Sequence, residues 1–272
     1  SDVPSEQTSP TQPYPTRPAA FEMQGFTEDD LIDFTPVLRS LALEIASEWR
    51  LGPMWNPPLH SENADGKKGA IFCPSAGGGA NIPGGGAMDP ETGIMYVASV
   101  KSCSAFTLVP GVNRDAVFTG QSGLTVVDWH HSPVPGGFRG PEGLPMFKPP
   151  YGRITAIDMN TGEHLWWIPN GDTPDRFTNH PLLQGVDLPN TGQTSHATAM
   201  VTGSLLMYGE GRGGLPRFHA VDKVTGERVG TVELPATTDT APMTFMHDGV
   251  QYIVTAVSGG GLPGSLVALR LP

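Results

Sequence analysis

The sequence has few charged residues, and it lacks both a basic cluster and a long apolar run. Asp, Glu, Lys and Arg make up only 16% of its 272 residues, and the net charge is -11 with a pI of about 5.0. Lys and Arg form no cluster, which argues against nucleic acid or an anionic membrane as a partner. No apolar run approaches the roughly 20 residues that a transmembrane helix needs. We therefore expect neither a nucleic-acid partner nor a membrane span.

Cysteine is also scarce, since Cys73 and Cys103 are the only two. They form no Cys-x-x-Cys or Cys-x-x-Cys-His motif, which argues against c-type haem and thiolate zinc sites. Both lie in or beside candidate strands of one sheet region. Two alternatives remain open at this point: one disulfide, as an exported protein would permit, or two buried free thiols.

Several catalytic motifs are missing as well. The glycine-rich stretches follow no Rossmann strand–helix pattern and carry no Walker lysine. Gly120–Gly123 lacks the spacing of a nucleophile elbow. His130 and His131 are adjacent, so their side chains point apart in a strand, and no third ligand stands near them in sequence. These patterns argue against a nucleotide site, a serine hydrolase and a histidine metal site.

What the chain does have is glycine (35) and proline (28), together close to a quarter of its residues, and a repeated phrase. The phrase Ala-x-Asp-x-x-Thr-Gly-Glu occurs at 156–163 and again at 220–227, with a weaker copy at 87–93. Asp and Thr cap a tight turn and Gly takes the positive-φ position, so each copy predicts a hairpin. Repeated hairpins among many short strands predict an all-β propeller.

The chain divides into three predicted segments. Residues 1–26 carry five prolines in the first 20 positions and predict an extended arm that runs over a surface. Residues 27–52 predict two helices, one from Thr27 to Phe34 and one that starts at Thr35-Pro36 and ends at Gly52. Residues 53–272 predict about fourteen strands, roughly three and a half blades at four strands each. A ring this incomplete predicts that another chain completes it.

The phrase also resembles a known family. Ala-x-Asp-x-x-Thr-Gly-x-x-x-Trp is similar to the tryptophan-docking repeat of quinoprotein alcohol and sugar dehydrogenases, which use pyrroloquinoline quinone (PQQ) on an eight-bladed propeller. Residues 156–166 match it fully, whereas the second copy has Gly230 where the tryptophan would be. An ordered set of further segments resembles the membrane-type glucose dehydrogenase branch: 9–15, 25–31, 52–58, 78–81 with 88–93, and 242–244 with 251–254.

This resemblance covers nearly the whole chain but only the C-terminal half of the family's eight-bladed propeller, with the Pro-rich arm and a short helical insertion. It implies oxidation of an alcohol or sugar hydroxyl to a carbonyl, in the periplasm, by hydride transfer to PQQ. A carboxylate base and Ca²⁺ assist the reaction, and a quinone or cytochrome accepts the electrons. The family's catalytic Asp and calcium ligands find no matching segment, so we assign no catalytic or metal residue here. The resemblance implies that a second chain carries them, either a separate subunit or the other product of a cleaved precursor.

Five residues are candidates for the site. Asn81 matches the family's Gly-Ala-Asn segment near the quinone, and Ile82 replaces the tryptophan that follows it; the alternative is a plain glycine-rich turn. Arg212 offers a bidentate partner for a PQQ carboxylate, or else pairs with Glu210. His196 and Glu210 are candidates for the substrate funnel, with a structural role as the alternative for His196.

Two other functions stay open on sequence grounds. One is a non-catalytic propeller scaffold of the outer-membrane assembly type, which has similar repeats, and the other is an inactive fragment. Residues 107–122 and 130–150 are rich in Pro and Gly and predict long loops that shape the substrate entrance.

Overall fold

A computed structural model describes residues 9–110 and 129–270, together with two short strands between them. The chain forms two compact units. Unit 1 contains the described residues of 1–13, 24–76 and 103–148. Unit 2 contains those of 14–23, 77–102 and 149–272.

The described elements confirm an all-β chain with little helix. The helices are α1 (Pro36–Ala46) and α2 (Asp175–Thr178), with 3₁₀ turns at Glu28–Asp30, Pro141–Gly143 and Pro181–Leu183. The strands are β1 (Gly25–Phe26), β2 (Gly52–Pro53), β3 (Ala70–Phe72), β4 (Gly79–Ala80), β5 (Gly86–Asp89), β6 (Ile94–Val100), β7 (Ser104–Pro110), β8 (Arg114–Asp115), β9 (Leu124–Thr125), β10 (Trp129–Pro133), β11 (Gly152–Asp158), β12 (Glu163–Pro169), β13 (His196–Val201), β14 (Leu205–Arg212), β15 (Arg217–Asp222), β16 (Arg228–Glu233), β17 (Thr237–Thr238), β18 (Met243–His247), β19 (Val250–Gly259) and β20 (Leu262–Arg270).

The helical segment of unit 1 is shorter than predicted. The predicted helix from Thr27 to Phe34 is only a 3₁₀ turn, because the backbone of Ile32 leaves it to donate to Met146 O at 2.8 Å. The second helix starts as predicted, with the Thr35 hydroxyl accepting from the Leu38 N–H at 3.1 Å. It ends at Ala46 rather than at Gly52. No described helix is long and apolar enough to cross a membrane.

Unit 1 carries a three-stranded sheet in the order β10-β7-β3, and a disulfide closes one end of it. Phe72 pairs with Ser104 at the end of the β3–β7 ladder, and the next residue outward on each strand is a cysteine. Cys73 and Cys103 are bonded to each other, which decides between the two alternatives that the sequence leaves open.

The two predicted loops contain strands in unit 1. Residues 107–110 belong to β7, and residues 130–133 belong to β10, which pairs with it. Backbone pairing between these segments outweighs their high Pro and Gly content. Most of the other residues of the predicted loop at 107–122, including Gly120, lie outside the described residues. Val126 and Val127, for which the sequence predicts a strand, also lie outside them.

Unit 2 consists of three antiparallel sheets that follow one another along the chain. Sheet 1 has the order β12-β11-β6, with β4 and β5 sharing the other edge of β6. Sheet 2 has the order β13-β14-β15-β16. In sheet 3, β17 and β18 share one edge of β19, and β20 occupies the other. In each sheet, the strands that come first in the sequence form one edge, and the later strands add to it through hairpins. In sheets 1 and 3 this first edge consists of two short strands.

All three copies of the repeated phrase are hairpin turns, as predicted. In the second copy the Asp222 carboxylate accepts from the N–H groups of Val224 and Thr225 at 2.8 and 2.9 Å. Gly226 takes φ +78°, and its N–H donates to Asp222 O at 2.9 Å. These backbone N–H donors hold the pKa of Asp222 below its usual range.

The copies do not mark one blade each. The turns at 89–93 and 158–162 both belong to sheet 1, where they join β5 to β6 and β11 to β12. The turn at 222–226 joins β15 to β16 of sheet 2. The number of copies therefore does not count the blades, since the same local chemistry serves two different hairpins of one sheet.

Two cores join the sheets. Between sheets 1 and 2 lie nine buried side chains from β6, β11, β13, β14 and β15, with Tyr96, Ile154 and Tyr208 the largest. Trp166 packs against this core, and a Cβ on Gly226 would lie 3.1 Å from its indole. Between sheets 2 and 3 lies a smaller core that includes Phe218. The predicted Thr-Gly turn therefore receives the tryptophan of the preceding sheet.

The arm lies across sheet 1 of its own chain. Residues 14–23 belong to unit 2, and their side chains and carbonyls bond to the outer strands and to β6. The contacts are Arg17 with Glu163, Ala19 O with His164 Nε2 at 2.9 Å, Phe21 O with Arg153, and Glu22 Oε2 with Ser99 Oγ at 2.9 Å. Arg17 also covers Gly162, the position that corresponds to the Trp166-contacting glycine of sheet 2.

A buried ion pair links the turns of sheets 1 and 2. Lys223 Nζ lies 2.7 Å from Asp89 Oδ2, and both side chains are at least nine-tenths buried. Tyr96 also donates its hydroxyl to Lys223 O at 3.1 Å. The hydrogen bond from Lys223, followed by that from Thr92, lowers the pKa of Asp89 to about 2.

We expect Lys223→Met to destabilise unit 2 strongly at neutral pH, because it leaves the buried Asp89 carboxylate without its cation. A lowered pKa stabilises the fold above the unfolded pKa of about 3.8, and this contribution disappears as the pH falls through about 2. Chemical denaturation from pH 7 to 2 should therefore show an acid-dependent loss in the wild type that is smaller in the variant. Lys68→Met, which removes the exposed pair with Glu48, is the control and should cost under about 1 kcal/mol. Equal losses from the two substitutions would contradict the role of the Lys223 pair.

Candidate functional site

A pocket in unit 2 collects residues from all three sheets. It has a volume of about 160 Å³ and is lined by Ile82, Pro83, His196, Arg212, Thr238 and Asp239. Ile82 and Pro83 follow β4 of sheet 1, and Thr238 belongs to β17 of sheet 3. His196 begins β13 and Arg212 ends β14, both in sheet 2. Three of the five residues predicted from the sequence therefore meet here, although they are far apart along the chain.

Arg212 and His196 are placed together by strand pairing. They are cross-strand partners at the end of the β13–β14 ladder, next to a bulge between His196 and Thr198. Gly211 takes φ +78°, and a Cβ there would lie 1.7 Å from His196 O. Only glycine fits this position, and the irregular pairing that it permits brings both side chains to the pocket.

Arg212 is exposed and is held by an acid. Its side chain is 82% exposed, and Nη2 lies 3.1 Å from Asp239 Oδ1. The other oxygen of Asp239 accepts from the Ser258 hydroxyl. The hydrogen bond from this hydroxyl is the main cause that lowers the pKa of Asp239, and the hydrogen bond from the guanidinium of Arg212 is the second. The alternative partner considered from the sequence, Glu210, is not the one that pairs with Arg212.

His196 and Ile82 complete the open side of the pocket. The His196 ring is partly buried and makes no hydrogen bond to any residue in the described part of the chain. Ile82 is 81% exposed, which is unusual for a large apolar side chain. An imidazole with free nitrogen atoms, a guanidinium and an exposed apolar group suit an aromatic ligand that carries acidic groups.

Asn81 lies behind the pocket wall. It is buried, its backbone N–H donates to Ala98 O at 2.9 Å, and its Nδ2 lies 3.5 Å from Ser195 O. Its Oδ1 is buried and accepts no hydrogen bond from the residues that the structure describes. The side chain thus offers an unused acceptor oxygen, whereas the sequence predicts that its amide N–H donates to a ligand.

The glycines around Asn81 serve the contact between the sheets. Gly84 takes φ +80°, and a Cβ there would lie 2.7 Å from the backbone nitrogen of Ala241, beyond β17. The carbonyl of Gly84 accepts from Ala199 N of β13 at 2.8 Å. The close approach that these glycines permit is therefore to the backbone of neighbouring sheets.

Glu210 does not line the pocket. Its side chain is fully buried and 2.9 Å from both His219 Nε2 and the N–H of Leu215. His219 in turn contacts the Thr231 hydroxyl through Nδ1 at 2.8 Å. These bonds give Glu210 a structural role within sheet 2. The prediction from the sequence was that Glu210 lies in the substrate funnel.

Sequence reasoning missed Thr238 and Asp239. Asp239 stands in a polar stretch that carries no motif. The only available signal was its position between two predicted strands of the last sheet. Its proximity to Arg212, 27 residues earlier, depends on the packing of sheet 3 against sheet 2.

Comparison with known proteins identifies the family. Residues 1–253 match the family described as "PQQ: Glucose/ethanol/alcohol dehydrogenase, beta-propeller domain". The chain belongs to this family. The sheets of unit 2 are thus blades of a PQQ-dehydrogenase propeller, and the family resemblance read from the sequence is confirmed.

Relatives in this family are much longer than the chain. It is 24% identical to the "Probable quinate dehydrogenase (quinone)" of Xanthomonas campestris pv. juglandis, over 96% of this chain and 33% of that protein. It is 27% identical to the "Glycerol dehydrogenase large subunit" of Gluconobacter thailandicus, over 95% of this chain and 36% of that protein. Among solved structures, the quinohemoprotein alcohol dehydrogenase of Comamonas testosteroni gives a TM-score of 0.42 at 19% identity, over 69% of this chain and 23% of that one. The chain therefore spans about a third of the length of these curated relatives.

The chemistry of the pocket residues fits PQQ. PQQ is a planar quinone with carboxylates, for which Arg212 provides a cation and Ile82 an apolar surface. The volume of about 160 Å³ is below the roughly 300–1,000 Å³ of pockets that enclose a ligand. Calcium is different: no three His, Cys, Asp or Glu side chains of the described residues come together to hold a metal ion.

We expect Glu210→Ala to lower stability rather than ligand affinity. It leaves the buried Leu215 N–H and the His219 ring without their acceptor, at about 1–3 kcal/mol for each lost partner. Denaturant titration measures the loss, and binding of PQQ at a temperature where the variant is folded should match the wild type. A selective loss of PQQ or substrate affinity with unchanged stability would contradict this expectation and support a role for Glu210 in the substrate funnel.

Proposed function

We propose that the chain is part of a periplasmic PQQ-dependent dehydrogenase that oxidises an alcohol or sugar hydroxyl to a carbonyl. The observation that carries this proposal is the meeting of Ile82, His196 and Arg212 in one pocket of a PQQ-family propeller. Ile82 comes from sheet 1, and His196 and Arg212 come from sheet 2, so no single local role accounts for all three. The disulfide between Cys73 and Cys103 supports export from the reducing cytosol.

The chain's own residues bind and orient in this proposal. Arg212 donates to a carboxylate of PQQ, and Asp239 fixes the guanidinium from behind. Ile82 contacts the ring system, and the free nitrogen atoms of His196 face the ligand. When bound, PQQ supplies the acceptor for a hydride from the substrate carbon. A second chain contributes the catalytic base, the calcium ligands and the route of the electrons to a quinone or cytochrome.

The outward face of sheet 3 supports the existence of that second chain. Strand register places Met243, Phe245 and Leu266 on the face turned away from sheet 2. They are 56%, 42% and 75% exposed, and Phe245 stacks on Tyr252 with ring centroids 5.4 Å apart. An apolar sheet face of this kind is an interaction surface in a stable protein. We propose that a further propeller blade covers it, on a separate subunit or on the other part of a cleaved precursor.

Arg212→Met should weaken PQQ binding to the native complex about 10- to 100-fold, because it removes a charge-assisted hydrogen-bonding partner of about 1.5–3 kcal/mol. Isothermal titration of PQQ into the depleted complex measures this. Arg217→Met is the matched control, since Arg217 pairs with Glu233 and Asp172 and does not line the pocket. The native complex should also release PQQ on denaturation. Absence of PQQ, together with wild-type affinity in the Arg212 variant, would leave the scaffold or the inactive fragment as the better description.

Leu266→Lys should weaken association with the partner chain, because it places a charge on the proposed interface. Sedimentation of the complex at several concentrations measures the dissociation constant. Val224→Lys is the control, since Val224 is 70% exposed but lies in the β15–β16 turn of sheet 2. A chain that is soluble, monomeric and cooperatively folded without any partner would contradict the proposed assembly.

A further inference from the structure

An apolar slot lies between sheets 2 and 3, separate from the pocket described above. Its volume is about 300 Å³. Leu205, Met207 and Phe218 line it from sheet 2, and Ile253 and Leu269 line it from sheet 3. Gly230 of β16 forms part of the same wall. The slot is at the lower end of the size range of ligand pockets, and it is almost wholly apolar.

The slot exists because a side chain is missing. In sheet 1 the register pairs Ala156 with Trp166, and in sheet 2 it pairs Ala220 with Gly230. Gly230 is thus the structural counterpart of Trp166. A Cβ on Gly230 would meet no atom within 4 Å, so the space that an aromatic side chain would fill is open.

The filled gap between sheets 1 and 2 indicates what the open one accommodates. There the indole of Trp166 lies 5.7 Å from the Tyr96 ring, centroid to centroid, and covers Gly226. A planar aromatic group therefore fits between two sheets of this propeller. Apolar cavities of this kind stay dry and bind small aromatic molecules.

We infer that this slot is a second ligand site, which binds a small, uncharged planar aromatic molecule. The ring occupies the place that corresponds to Trp166. This inference does not depend on the proposed dehydrogenase function, since it uses neither the pocket at Arg212 nor PQQ.

The test uses indole as the probe, with the native protein. Calorimetry or ligand-observed NMR should show saturable binding. Gly230→Trp should abolish this binding and raise the melting temperature, because the new indole fills the slot. Gly203→Trp is the matched control: it lies in the β13–β14 turn, is equally open, and should leave binding unchanged. Ala220→Leu fills the slot from the opposite strand and serves if the tryptophan variant does not fold.

Arg212→Met should leave the binding of indole unchanged, because Arg212 lines the other pocket. Absence of saturable binding, or binding that survives in Gly230→Trp, would overturn the inference.

Discussion

The contact between Asp89 and Lys223 holds the first two blades of unit 2 together. It joins a turn of one sheet to a turn of the next, and it is buried on both sides. Each turn is built by the same local chemistry, in which an Asp accepts from the backbone N–H groups that follow it. A buried charge without a partner is costly, so the two turns cannot separate without leaving one of these charges unpaired.

The residue at the position of Trp166 in each repeat decides what fits between two sheets. In the first gap, the glycine of the Thr-Gly turn receives the flat face of Trp166, so the chain itself fills this gap. In the second gap the corresponding residue is Gly230, and a slot remains. One substitution within a repeat thus changes a packed core into a space that another molecule can enter.

The pocket at Arg212 arises at the inner ends of the same sheets. His196 and Arg212 come from one hairpin, Ile82 comes from the sheet before it, and Asp239 follows the first strand of the sheet after it. No sheet holds enough of these groups to bind a ligand by itself. The site therefore depends on how the blades are arranged.

The sequence by itself determined the features that depend on neighbouring residues. The Asp-x-x-Thr-Gly turns, the cap at Thr35-Pro36 and most strands of unit 2 follow from local hydrogen bonds and φ preferences, and the motif order identified the family. Only tertiary structure decided the rest. Backbone pairing with Met146 shortened the predicted helix at Thr27, and pairing with β7 made a strand of 130–133. Glu210 is buried in contact with His219, and Arg212 pairs with Asp239. These outcomes depend on residues that are distant in sequence and become neighbours only when the sheets pack, so no local pattern encodes them.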